Sequence, residues 1–186
     1  MKMFEKLSKR YRQHLLSWKM KHGIVPRGRV AGIMGGSVIN VTTRTEAKHI
    51  RNGEVIDERV VHNKKVTTAF VNDIVDNLIA ETTAFGDYKF HDSGTGGTAE
   101  SNSDTGMETA TGIGRATGTQ VEGGQTYEYQ SVGTITYDGS YAVVEHGLFN
   151  NSTGGTLMDR TVFSAINVAN NDQIQFTFTI QFSAEA

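Results

Sequence analysis

The sequence has no cysteine and one proline in 186 residues. Without cysteine there is no disulfide, no thiolate metal site and no thiol nucleophile. That usage fits assembly in a reducing cytoplasm. No uninterrupted apolar run approaches the ~20 residues a helix needs to cross a bilayer. The N-terminus is basic, but charges break it at every turn, so it lacks the apolar core of a signal peptide. The expectation is a chain that neither spans a membrane nor leaves through such a signal. Ligand spacings are missing too. His14, His22, His49, His62, His91 and His146 form no H-E-x-x-H or related pattern. Gly28, Gly32, Gly35 and Gly36 are not followed by the G-K-[ST] of a phosphate loop, and they read as turn glycines.

What is present is glycine, 21 of them, with much threonine and few long helical patterns. Such a composition favours many short strands joined by turns. The length suits one compact domain plus an appendage, or at most two small domains. The net charge of -2 hides an asymmetry: residues 1–30 carry nine Lys or Arg and only Glu5, a segment charge of +8, which leaves -10 on the remainder. An arm and a body with different electrostatic roles are expected, divided into 1–28 and 29–186.

In the arm, Phe4, Leu7, Tyr11, Leu15 and Trp18 step by 3, 4, 4 and 3, which lines up one helical face within about 80°. Lys2, Lys6, Lys9 and Arg10 lie opposite or on its flank, with Arg12, Lys19 and Lys21 adding charge, before Gly23 and Pro26 stop the helix. DNA's backbone offers no receiver for an aromatic stripe, whereas a protein groove does. These twelve residues are the candidate partner-binding set. Each buried aromatic would contribute about 1.5–3 kcal/mol.

From Arg29 onward the pattern is β. Arg29–Met34, Ser37–Thr43 and Ala47–Arg51 read as strands, and Asn52-Gly53 marks a type I′ hairpin into Glu54–Val61. Thr67–Ile79 is predicted as a helix capped by Thr67 or Thr68, laid across a sheet, with Phe70, Ile74 and Leu78 and also Val71, Val75 and Ile79 stacked at i+4. Residues 93–124 read as a long solvated loop with a helical turn near Asp104–Thr109 and a strand near Arg115–Val121. Thr126–Tyr137, Tyr141–Phe149 and Leu157–Val168 follow as strands. The last strand alternates Ile174, Phe176, Phe178, Ile180 and Phe182 with Gln and Thr, one buried face against one polar face. Roughly eight strands with one packed internal helix at about 67–80 give a mainly β fold, an antiparallel sandwich or jelly roll.

The stretches Glu145–Asn150, Gly155–Phe163, Ile166–Val168 and Asp172–Phe176 form the pattern E-x-G-L-F-N, then G-T-L-x-x-R-T-V-F, then I-N-V…D. With the Asn52-Gly53 hairpin, His62–Thr68 and the Gly-Thr-Gly-Gly-Thr loop at 94–98, this resembles uncharacterised structural proteins of tailed bacteriophages over about residues 45–186. The resemblance implies a virion component, assembled in the host cytoplasm, whose partners are the major capsid protein or other virion subunits. It leaves head, neck and tail open, and the basic arm is not part of it.

Each chemistry-bearing cluster has a plainer reading. His91-Asp92-Ser93 holds three triad residue types, but triads join residues distant in the chain, so local turns at the start of a loop are expected. Asp92, Glu100, Asp104 and Glu108 have no calcium-loop spacing and read as a solvated loop. Glu145-His146-Gly147 reads as a strand ending in a turn. Tyr127, Tyr129, Tyr137 and Tyr141 would form a glycan platform or, more simply, cross-strand pairs. The resulting expectation is a non-enzymatic cement or decoration subunit, a homo-oligomer with a trimer favoured, with no cofactor, metal or membrane. Direct nucleic-acid contact through the arm ranks behind protein contact. The alternatives are a neck, baseplate or tail-fibre attachment module, and a carbohydrate-binding sandwich for host adhesion.

Overall fold

The computed structural model describes residues 39–79 and 87–184. The chain divides into two compact units, residues 1–40 with 183–186, and residues 41–182. Of the first, only the strand-end residues 39, 40, 183 and 184 are described; the core and the polar clusters belong to the second. The predicted arm and the strand Arg29–Met34 lie outside the described residues.

The described chain is mainly β, with ten strands and one helix: β1 Ile39–Arg51, β2 Glu54–His62, β3 Lys65–Val66, α1 Thr68–Ile79, β4 Phe90–Gly94, β5 Ala116–Thr117, β6 Val121–Glu122, β7 Glu128–Thr136, β8 Tyr141–Phe149, β9 Leu157–Val168 and β10 Gln173–Ala184. They form two five-stranded sheets, ordered β2-β1-β10-β7-β6 and β3-β9-β8-β4-β5. The β1–β2 hairpin turns at Asn52 and Gly53, both with positive φ (53° and 82°), as a type I′ turn requires. Ser37–Thr43 and Ala47–Arg51 are not separate strands: described residues from Ile39 run unbroken to Arg51.

The period-two pattern of β10 decides the core. Ile174, Phe176, Phe178 and Ile180 are fully buried, each contributing about 1.5–3 kcal/mol. Ile174 and Phe176 join Ala47 and Ile135 of their own sheet to Val143, Phe163, Ile166 and Val168 of the other, so the two sheets face each other across one apolar layer. Phe178 and Ile180 meet Phe70, Tyr88, Leu148 and Met158 in a second cluster.

Helix α1 is capped by Thr67, whose Oγ accepts from the Phe70 N–H at 3.1 Å. Its packing differs from expectation. Phe70 is buried and Ile74 half-buried, but Val71, Val75, Leu78 and Ile79 are exposed. A 12-residue helix resting on one edge of β9 buries a narrow stripe, not both i+4 ladders.

The 93–124 segment corrects three expectations. Its first residues belong to β4, paired with both β5 and β8, so His91, Asp92 and Ser93 sit inside a sheet. The expected strand near 115–121 is two short strands in different sheets. No helical turn forms at 104–109, because the N–H groups of Glu108 and Thr109 donate to the Glu145 carboxylate instead of to preceding carbonyls.

Candidate functional site

Two polar clusters are built on strands β8 and β9. Antiparallel pairing sets Gly147 opposite Arg160 and Glu145 opposite Val162, which places Glu145 and Arg160 on one face as diagonal neighbours. The alternation puts His146, Leu148, Asp159 and Thr161 on the other face, toward the opposite sheet.

The outer face carries an ion cluster. Glu145 is fully buried. Its Oε1 accepts from Gly96 N–H (3.1 Å) and Thr109 N–H (2.8 Å), and its Oε2 from Glu108 N–H (3.1 Å) and Arg160 Nε (2.7 Å). Arg160 also donates through Nη1 to Asp104 (3.1 Å) and through Nη2 to Glu108 (3.1 Å). Glu108 is held below the usual carboxylate range, chiefly by the hydroxyl and N–H of Thr98. The loop above covers Glu145 and most of Arg160 and supplies the partners that replace water. The 94–110 loop is thereby clamped on the sheet, and Glu100 extends the clamp to Lys64 at 3.0 Å. A polar cavity of about 500 Å³ opens beside it, lined by Thr98, Ser101, Ser103, Asp104, Glu108 and Arg160 among others.

The inner face carries an imidazole pair. Nδ1 of His91 lies 2.9 Å from Nε2 of His146, and Nε2 of His91 lies 2.8 Å from Ser131 Oγ. Burial pushes His91 down to about 3, and burial with the neighbouring His91 takes His146 well below its ordinary value. His146 stacks on Phe176 with ring centroids 4.5 Å apart. Nearby, Thr161 donates to Oδ1 of Asp159 (2.6 Å) and its oxygen lies 3.0 Å from Thr45 Oγ across the sheets. Asp159 is fully buried, and burial pushes its carboxyl up to about 7. Nδ1 of His146 and Oδ2 of Asp159 are buried without a hydrogen-bond partner.

A third bond set closes the β9–β10 turn. Asp172 takes Arg51 Nε (2.8 Å) and Nη2 (2.6 Å), His49 Nε2 (2.9 Å) and the Ala169 N–H (2.8 Å). Arg51 holds the Asp172 carboxyl well below the usual range.

These placements revise the residue-level expectations. His91 and Ser93 do not form a triad with Asp92: the His91 ring faces His146 and Ser131, while Asp92 pairs with Arg115 at 3.3 Å. Glu145-His146-Gly147 is strand interior, not a strand end. Asp92, Glu100, Asp104 and Glu108 are not simply solvated, since each pairs with a base, and among the described residues no group of His, Asp or Glu is arranged to hold a metal. The tyrosines make no platform. Tyr137 is buried with its hydroxyl on Ser93, Tyr129 donates to the Tyr88 carbonyl, and Tyr127 is half-exposed. The arm residues Lys2 through Lys21 lie outside the described residues. The Glu145–Arg160 pair escaped the sequence reading, although a charged residue inside each of two apolar strands (AVVEHGLF and LMDRTVF) is the signal that marks it.

The arrangement is suited to holding loops against the sheet. The imidazoles and Ser131 are sealed in the core, and Glu145 has four donors around it already. No family model, no curated protein and no solved structure matches this chain.

Proposed function

We propose that this chain is a structural subunit of a tailed-bacteriophage virion, and specifically a cement or decoration protein that stabilises the head by bridging neighbouring capsid subunits. The body is a β-sandwich of jelly-roll type, and the basic segment 1–28 is the arm that docks on an acidic, apolar-grooved neighbour. The carrying observation is the charge split of the sequence, +8 in residues 1–30 against -10 in the rest. Two features of the body support the reading. Its buried charged groups, Glu145, Arg160 and Asp172, fasten loops to sheets, as a load-carrying module requires. Its charged surface and exposed α1 face leave adhesive area outside the core.

Cross-bridging works by burying apolar area across the seams between capsomers, which raises the force needed to burst a filled shell. The test is imaging of particles together with protein copy number. Hundreds of copies on the head surface, lost when residues 1–28 are deleted while the body still folds, is the expected result. About a dozen copies at one vertex or on the tail would move the subunit to the neck, baseplate or fibre. Full occupancy by the arm-less protein would defeat the bridging mechanism.

A further inference from the structure

Six buried polar residues face the space between the two sheets: Ser131 and Thr45 from one, His91, His146, Asp159 and Thr161 from the other. Hydrogen bonds join them into two strings. Ser131, His91 and His146 form one, with bonds of 2.8 and 2.9 Å. Thr45, Thr161 and Asp159 form the other, with bonds of 3.0 and 2.6 Å. Each string ends on a buried atom that has no hydrogen-bond partner, Nδ1 of His146 and Oδ2 of Asp159. Both residues are 0% exposed. Polar atoms at such depth are nearly always paired, with protein or with ordered water.

Register brings the two ends together. His146 sits opposite Thr161, and Asp159 lies two residues before Thr161 on the same face. His146 and Asp159 are therefore diagonal neighbours, by the same step that relates Glu145 to Arg160 on the outer face. Diagonal neighbours stand about 7–8 Å apart. The long side chains of Glu145 and Arg160 close that distance directly, whereas the shorter imidazole and carboxyl do not. Strand β8 lies between β4 and β9, and on the β4 side the layer is full. There His91 occupies Nε2 of His146, and a Cβ at Gly118 or Gly133 would fall 2.6 or 2.4 Å from the His91 ring. The two nitrogens of an imidazole point to opposite sides of the ring, so Nδ1 of His146 is turned toward β9.

We propose that one internal water molecule bridges Nδ1 of His146 and Oδ2 of Asp159. Two hydrogen bonds of about 2.8 Å in series span about 5.5 Å, which suits the gap between the tips of a diagonal pair. A water molecule donates to the carboxylate and accepts from or donates to the nitrogen, so it serves both groups whichever nitrogen carries the ring proton. A metal ion is a poorer occupant, since among the described residues no group of His, Asp and Glu is arranged to hold one. The water completes a single chain of bonds from Ser131 on β7 to Thr45 on β1. That chain crosses between the sheets at both ends, at Ser131–His91 and at Thr161–Thr45. It ties β7 and β1 of one sheet to the adjacent strands β4, β8 and β9 of the other, and so fixes how the sheets face each other. The proposal rests on the core alone and is independent of the virion reading.

A crystal structure of the full-length chain should show one ordered water within about 2.6–3.2 Å of both atoms. In solution, magnetic relaxation dispersion of the water ¹⁷O signal counts the waters a protein holds for long times. Asp159→Leu keeps the size of the side chain and removes its oxygens, and it should lower that count by one. Asp159→Asn keeps a polar tip and should leave the count unchanged. Amide spectra of each variant show whether the fold is retained. Should the leucine variant fail to fold, the wild-type crystal structure and the asparagine count decide. Direct contact between Nδ1 and Oδ2, a wild-type crystal structure with no water shared by the two atoms, or a folded Asp159→Leu with an undiminished count would each overturn the proposal.

Discussion

Nδ1 of His91 lies 2.9 Å from Nε2 of His146, a bond inside the core between residues 55 positions apart in the chain. One ring must donate and the other accept, so a proton on the accepting nitrogen removes the bond. Burial holds both imidazoles neutral, with His91 pushed down to about 3. The unfolded chain binds these protons near pH 6.5, where the folded chain does not. Their stabilising contribution is complete above about 6.5 and declines as pH falls toward 3. In ¹⁵N-histidine spectra, these two rings should keep neutral-form shifts from pH 8 to 5. A titration midpoint near 6.5 for either would show that the pair is not sealed as described.

Asp159 acts with the opposite sign. Its folded value is raised to about 7, so the folded chain binds the proton more tightly than the unfolded chain between about pH 4 and 7. Stability from this group is complete at the acid end and declines as pH rises through 7. Asp159→Asn removes the dependence. Unfolding free energies from urea denaturation should exceed wild type for the variant at pH 8, by roughly 2–4 kcal/mol, and the advantage should shrink toward pH 5. An equal difference at both pH values would mean that Asp159 does not titrate with folding.

Removing Arg160 strands Glu145, which is fully buried. Arg160→Met is expected to cost about 3–5 kcal/mol, the usual penalty for leaving half of a buried pair. Arg160→Lys should be nearly as harmful, since one ammonium cannot replace a fork that reaches three carboxylates. The double change Glu145→Gln with Arg160→Met should cost less than Arg160→Met alone. Chemical denaturation gives the free energies, and limited proteolysis should cut first within residues 95–109 once the clamp is gone. If the arginine variant keeps both stability and protection of that loop, the clamp is not what holds it.

Gly118 is needed for space. A Cβ there would fall 2.6 Å from Nε2 of His91 and 2.8 Å from Oγ of Ser131. Gly118→Ala should destabilise by about 1–3 kcal/mol through overpacking and shift the His91 resonances. Gly97→Ala, where a Cβ meets nothing within 4 Å, is the matched control and should change little.

Local rules explain which parts of this structure were legible. The type I′ turn at Asn52-Gly53, the Thr67 cap and the alternation of β10 are written in adjacent residues, and the structure has them where the pattern puts them. Strand β4 was illegible because its signal is neither periodic nor apolar: Phe-His-Asp-Ser-Gly resembles a turn, and only pairing with β8 makes it a strand. The α1 ladders were legible as a helix but not as a packing surface, since one sequence fixes a helix's apolar sides without saying how many neighbours exist to cover them.

By itself, the sequence determined the β character of the described chain, its hairpin, its internal helix and the charge split between residues 1–30 and the rest. Those features depend on side chains within a few positions of each other, or on simple sums of charge. Only the tertiary structure decided that His91 meets His146, that Arg160 reaches three carboxylates, and that Tyr137 is interior instead of a binding surface. These depend on sheet order and register, which bring distant residues within about 3 Å and strip them of water. Register is a cooperative property of all paired strands, and no local run of residues encodes it.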